Sequence, residues 1–211
     1  ALQRDYTRDV PTRPIGANFC WCTQPLALFV AKLLQPYVRR TAEYVKDASG
    51  INRILTTLVV PAGALLISAD VARLYPAIPL IECLQLIQQH LTREGCPQCM
   101  IEIIMACLRL TLHLNFAQFC GKIFRQIVGF ATGVGCGAEA ANLYIHELLR
   151  DAFEAVRQHI LLYKRFIDDL YMVWIGPRAA AEEFLSMLNT NYRDYNFEIT
   201  WEISGDSSIF L

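Results

Sequence analysis

Two adjacent aspartates interrupt an apolar run and limit the folds that are open to this chain. Asp168 and Asp169 lie in YKRFIDDLYMVW, residues 163–174. Burial of an unpaired ionised carboxylate is costly, and two adjacent carboxylates also repel each other. The flanking runs are rich in β-branched and aromatic residues, which favours a β-hairpin with the acids at or beside its turn. Asp is also common in turns without any further role.

A third acid follows another strongly apolar run. Asp70 ends the predicted strand GALLISAD, residues 63–70, although on its own it could be a helix cap or a turn residue. If this strand lies beside the hairpin, three carboxylates meet at one edge of the sheet. Oxygen ligands in that number suit Mg²⁺ or Mn²⁺. Two such ions are the usual apparatus for phosphoryl transfer.

The periodicity of the whole chain predicts an α+β fold, a small antiparallel sheet with helices packed on one face. Helices are predicted over residues 24–40, 79–92, 100–114, 138–158 and 178–192. A short hairpin is predicted over 116–127, with Cys120–Gly121–Lys122 at its turn. Strict alternation of apolar and polar residues predicts a half-buried strand over 196–204.

Composition narrows the class of protein. Of 211 residues, 54% are hydrophobic and 18% are charged, which is typical of a globular core. The most apolar run is broken by Pro61 and Gly63, so we expect no membrane span. The net charge of −1 neither favours nor excludes a polyanionic partner. The eight cysteines are expected to be mostly reduced, and a zinc site formed by CWC (20–22) and CPQC (96–99) is the less favoured interpretation.

The order of three segments resembles the palm of reverse transcriptases. ISADVARLYPAIP, QIVGFATGVGCGAEAANLYIHEL and YKRFIDDLYMVW follow one another like motifs A, B and C. The sequence is most similar to the Penelope-like retroelement enzymes, which are related to telomerase reverse transcriptase. Their pattern reads DV..LYTNIP, QI.GTAMG....P..ANL and RYIDDIF.IW. The likeness covers nearly all of residues 11–211.

This resemblance implies a right-hand polymerase palm with partial fingers. Residues 1–62 would form the partial fingers and N-terminal segment and residues 63–211 the palm, with fingers elements interleaved. The chain ends where the family continues into a thumb, so we expect a domain of a longer protein without its thumb. The implied activity is RNA-directed DNA polymerisation with an RNA template, a DNA primer and dNTPs. Nuclear localisation follows from the family likeness alone.

The resemblance also assigns site residues. Asp70, Asp168 and Asp169 match the catalytic and metal-binding acids, and the Val71 carbonyl is a further ligand for two Mg²⁺ ions, or Mn²⁺. The matching nucleotide-binding positions are Arg13, Tyr75, Gln126 and Gly133, of which Tyr75 would exclude a ribose 2′-hydroxyl. The matching nucleic-acid-binding positions are Lys46, Arg53, Gly129 and Asn142.

Motif B departs from the family pattern at three positions, Phe130, Thr132 and Ala138. The departures and the near-neutral charge keep a second hypothesis open. In that hypothesis the chain is a catalytically silent palm that binds nucleic acid or acts as a protein scaffold. A generic metal-dependent phosphohydrolase would also use clustered acids, but it does not explain the order of the three motifs.

Overall fold

The computed structural model describes residues 21–191 and 198–205. Arg13, Cys20 and Phe197 therefore lie outside the described residues. The helices are α1 (Gln24–Arg40), α2 (Ala48–Thr57), α3 (Leu74–Ala77), α4 (Leu80–Arg93), α5 (Gln98–His113), α6 (Gly137–Ala155) and α7 (Arg178–Asn191), with a 3-10 turn at Arg157–His159. The strands are β1 (Leu65–Ala72), β2 (Phe116–Phe119), β3 (Lys122–Arg125), β4 (Ile160–Phe166), β5 (Asp169–Trp174) and β6 (Glu198–Ser204).

Four strands form one antiparallel sheet in the order β4-β5-β1-β6. The predicted hairpin around the two aspartates is confirmed as β4 and β5, in which Phe166 is paired with Asp169 across the turn. Strand β1 lies directly beside β5, as the convergence of the three carboxylates requires. Strands β2 and β3 form a separate hairpin that turns at Cys120–Gly121.

The two faces of the large sheet bury different clusters. Ile67, Leu170 and Met172 face the main core, where they pack with helices α1, α4, α5, α6 and α7. Tyr171 and Val173 alternate with them and pack against Ile51 of α2 on the opposite face. Because side chains alternate along a strand, Asp169 lies on the same face as Tyr171. The acids therefore project on the face that α2 covers only in part.

The structure corrects several predicted bounds. Strand β1 does not end at Asp70 but continues through Ala72, because β6 pairs with it there. Helix α2 was not predicted, although Asp47 caps it by accepting a hydrogen bond of 2.9 Å from the Gly50 amide. Helix α6 ends at Ala155 instead of Gln158. The alternation predicted for β6 is confirmed: Ile199 is buried, whereas Glu198 and Thr200 are exposed.

None of the described helices combines the length and the apolar character needed to cross a bilayer. The division of the chain at residue 62 stays a prediction.

Candidate active site

Three carboxylates meet at one end of the sheet. Asp70 on β1 is paired directly with Asp169 on β5, so both side chains lie on the same face. Asp168 lies in the turn immediately before Asp169. Its carbonyl oxygen accepts a hydrogen bond of 3.1 Å from the Val71 amide, which ties the turn to β1. Asp70 and Asp169, which are distant in sequence, are thereby held in register by the sheet.

The electrostatics of this edge fit a cation. Partial burial and the charges of Asp168 and Asp70 raise the pKa of Asp169 above its usual value. Desolvation and neighbouring negative charge both disfavour the ionised carboxylate, and a divalent ion bound here would favour it. Carboxylate oxygens of the three aspartates, with the Val71 carbonyl, are hard donors of the kind that Mg²⁺ and Mn²⁺ prefer.

A second cluster of side chains, separate from the three aspartates, also offers atoms that could bind a metal. Among the described residues, the set of three that lie within 4.8 Å of one another is His90, His146 and Glu147. Arg93 and Arg150 each donate to the Glu147 carboxylate, and His90 Nδ1 lies 2.6 Å from its Oε1. Two guanidinium groups already neutralise this carboxylate, so the cluster is explained as a buried ion network between α4 and α6.

Tyr75 lies beside the acids, on the short helix α3 that follows β1. Its ring is half-buried and faces Phe130 at 6.3 Å between centroids. Burial and the charges of Asp168 and Glu139 raise the pKa of Tyr75 to about 12, so the hydroxyl stays protonated at neutral pH. The role of this ring in sugar selection stays a prediction.

The glycine-rich loop of motif B packs onto α3. The Phe130 amide donates a hydrogen bond of 2.7 Å to the Tyr75 carbonyl. A Cβ on Gly129 would lie 2.6 Å from Pro76 Cα, and the φ of Gly129 is +74°. Gly129 was predicted to let backbone approach nucleic acid, but the close approach here is to the protein's own backbone. Phe130, the first departure from the family pattern, is buried in the core beneath Tyr75.

The other nucleotide-binding positions of motif B lie along the same loop. Gly133 is exposed and has a φ of +103°. Gln126 follows β3, and its side-chain amide donates to the Val128 carbonyl at 2.9 Å. Thr132 and Ala138 are half-buried. The predicted roles of Gly133 and Gln126 in nucleotide binding stay predictions.

The predicted nucleic-acid contacts divide into two groups. Lys46 and Arg53 are exposed, and they flank or belong to α2 on the sheet face that carries the acids. Asn142 is only 6% exposed, and both its polar side-chain atoms bond within the protein, to Ala138 and Arg165. The side chain of Asn142 is thus engaged within the protein, and its contact with nucleic acid stays a prediction.

Sequence reasoning missed Arg165 and Glu43. Arg165 is 1% exposed and forms an ion pair with Glu43 at 3.2 Å. The signal in the sequence was the first position of the motif C pattern RYIDDIF.IW, an arginine that Arg165 matches. The glutamate is far away in sequence, on the segment before α2, so only the fold reveals the pair.

Comparisons with known proteins agree with this architecture. No family model and no curated protein matches the sequence. Telomerase from Candida tropicalis, truncated from its C-terminal domain, matches with a TM-score of 0.67 and 13% identity over 86% of this chain and 42% of that one. The RNA-dependent RNA polymerase of a human picobirnavirus matches with a TM-score of 0.64 and 16% identity, covering 89% of this chain and 36% of that one.

The fold is that of a polymerase palm with fingers elements. A third match is telomerase from Candida albicans in complex with a fragment of telomeric RNA, with a TM-score of 0.60 and 11% identity over 88% of this chain and 35% of that one. The chain spans less than half the length of each of these proteins. The matches include telomerases and a viral RNA polymerase, so the Penelope-like type stays a prediction.

Proposed function

We propose that this chain carries the catalytic palm of a template-directed nucleic-acid polymerase of the reverse transcriptase type. The observation that carries the proposal is the register of the sheet, which pairs Asp70 with Asp169, while the hydrogen bond from the Val71 amide ties Asp168 to the same edge. The agreement in fold with telomerases and an RNA polymerase supports this reading of the acids. An RNA template, a DNA primer and dNTPs would be the substrates, and other domains of a longer protein would be partners.

The acids have defined tasks in this proposal. Asp70, Asp168 and the Val71 carbonyl would hold two Mg²⁺ ions, with Asp169 as the third carboxylate. When bound, the ions supply charge neutralisation at the triphosphate and lower the pKa of the primer 3′-hydroxyl. The chain's own contribution is to hold its oxygens at one sheet edge before any substrate arrives, because preorganised charge needs no rearrangement during reaction.

Tyr75 would set the choice of sugar. Its ring is held between Phe130 and the first turn of α6, where a Cβ on Gly137 would lie 3.4 Å from Tyr75 Cε1. A ring fixed by such packing leaves little room for an added 2′-hydroxyl on a nucleotide stacked against it. This favours deoxynucleotides and hence DNA synthesis over RNA synthesis.

A silent palm is the second candidate, and the arrangement of motif B favours it. Phe130 fills the core, and Gly129 is needed for packing against Pro76. Both features would be retained if the glycine-rich loop had only a structural role. In that case the chain would bind nucleic acid or protein without extending a primer.

Primer extension separates the two candidates. Wild-type protein is incubated with an RNA template, a DNA primer, dNTPs and Mg²⁺ or Mn²⁺, and compared with Asp168→Ala. Asp151→Ala, at an exposed acid on α6, is the matched control. The polymerase proposal predicts extension by wild type and control, and a loss of roughly 10³-fold or more in Asp168→Ala with primer–template binding retained. Extension by Asp168→Ala at the wild-type rate would refute the site assignment, and binding without extension in all three proteins would favour the silent palm.

A further inference from the structure

Arg165 is a buried cation whose hydrogen bonds converge on the turn that carries the aspartates. Its Nη1 donates to Asn142 Oδ1 and to the Ile167 carbonyl oxygen, both at 3.0 Å. Its Nη2 donates to Glu43 Oε1 at 3.2 Å and to the Asn142 carbonyl oxygen at 2.9 Å. These four bonds use every hydrogen that the two terminal nitrogens carry. The guanidinium thus joins β4, α6 and the segment before α2.

The turn itself is in an unfavourable backbone conformation. Ile167 has a φ of +54°, which a β-branched residue rarely adopts. Such a conformation persists only where the surrounding structure holds it. Arg165 holds the Ile167 carbonyl from one side, and the Val71 amide holds the Asp168 carbonyl at 3.1 Å from the other.

We propose that Arg165, itself fixed by Glu43 and Asn142, is a positioning residue that sets the Ile167–Asp168 turn and thereby directs Asp168 toward Asp70. The catalytic meaning of this role rests on the proposed function, whereas the structural claim does not. Lysine cannot replace the arginine, because an ammonium group lacks the planar fork that reaches two acceptors on each side.

The direct test is hydrogen exchange at the Val71 amide, measured by NMR in Arg165→Met and in Asn142→Ala. The exchange rate is normalised to that of Met172 in the same sheet, because a general loss of stability accelerates both amides. We expect Val71 to exchange about 10–100-fold faster relative to Met172 in Arg165→Met. A smaller acceleration in the same direction is expected in Asn142→Ala.

Arg93→Met is the matched control. Arg93 pairs with Glu147 in the other buried network and makes no described contact with the turn. Its removal is expected to leave the Val71 to Met172 ratio at the wild-type value. If Arg165→Met folds and also leaves this ratio unchanged, the proposal is overturned. If Arg165→Met does not fold, Asn142→Ala decides, and an unchanged ratio there overturns the proposal equally.

A second readout links the turn to metal binding. Mn²⁺ affinity, followed by electron paramagnetic resonance of the free ion, is expected to fall about 10–100-fold in Arg165→Met and to stay unchanged in Arg93→Met. Unaltered Mn²⁺ affinity in a folded Arg165→Met protein would contradict the link. If wild-type protein itself binds no Mn²⁺, the proposed function fails, and the Val71 exchange ratio still decides the structural claim.

Discussion

Replacing Gly129 by alanine tests the packing between motifs A and B. A Cβ at this position would lie 2.6 Å from Pro76 Cα and from the Pro76 carbonyl oxygen, and 2.7 Å from the Tyr75 carbonyl oxygen. All three are backbone atoms, which cannot move aside as a flexible side chain would. The Phe130 amide bond to the Tyr75 carbonyl spans the same gap, so the substitution must push the loop away from α3.

The size of the effect has two parts. A left-handed φ costs a residue with a Cβ roughly 1–2 kcal/mol, and a reduction in unfolded-state entropy offsets about 0.4–1 kcal/mol of that cost. Displacing packed backbone costs typically about 1–3 kcal/mol more. Gly129→Ala should therefore lower the free energy of unfolding by about 2–4 kcal/mol, which leaves most single domains folded.

Gly121→Ala provides the matched comparison. Gly121 has the same φ of +74°, but no described atom lies within 4 Å of the position of its added Cβ. Gly121→Ala has the cost of a left-handed φ for alanine but no contact between the added Cβ and other atoms. Its loss of unfolding free energy should therefore be about 1 kcal/mol. Urea unfolding, followed by fluorescence and circular dichroism, measures both variants. Equal losses for the two would refute the argument that the loop and α3 are in contact through Gly129.

Two further predictions concern Tyr75 and the buried carboxylate of Glu43. Tyr75→Ala should raise incorporation of ribonucleotides relative to deoxynucleotides by roughly 10-fold or more, as measured by single-nucleotide incorporation; unchanged sugar discrimination would remove Tyr75 as the selector. Burial opposes ionisation of Glu43, but the His146 hydrogen bond and the Arg165 charge lower its pKa to about 2. Because the folded pKa lies below the unfolded one, this group's stabilising effect is present above about pH 4.5 and is lost as the pH falls toward 2. The urea concentration at the unfolding midpoint should fall less steeply with decreasing pH in Glu43→Gln than in the wild type. Identical slopes in the two proteins would contradict the assignment of this pH dependence to Glu43.

The sequence predicted the strands of the large sheet better than the helices and side-chain contacts around them. The pair of apolar runs around Asp168 and Asp169 and the alternation in residues 198–204 are local patterns, and each gave the correct strand. The adjacency of β1 and β5 entered only as a condition for the three carboxylates to converge, and the structure shows that pairing. The end of β1 was wrong because its last residues are held by β6, a neighbour distant in sequence.

Other parts of the site depend on contacts that no local pattern contains. Helix α2 is short, and it is stabilised by packing on Tyr171 and Val173. Asn142 matches a motif position, but its surroundings are set by the burial of Arg165 and by Glu43, which lies 122 residues before Arg165 along the chain. A motif can therefore locate such a residue without telling whether it faces the substrate or the protein.

The most direct test of the central claim is Mg²⁺-dependent incorporation of one dNTP on an RNA template, compared between wild type and Asp70→Asn. This substitution keeps the size of the side chain and removes only its charge. The account predicts incorporation by wild type that requires Mg²⁺, and a loss of roughly 10³-fold in Asp70→Asn with primer–template affinity unchanged. Incorporation by Asp70→Asn at the wild-type rate would contradict the claim that the acids at this sheet edge carry the chemistry.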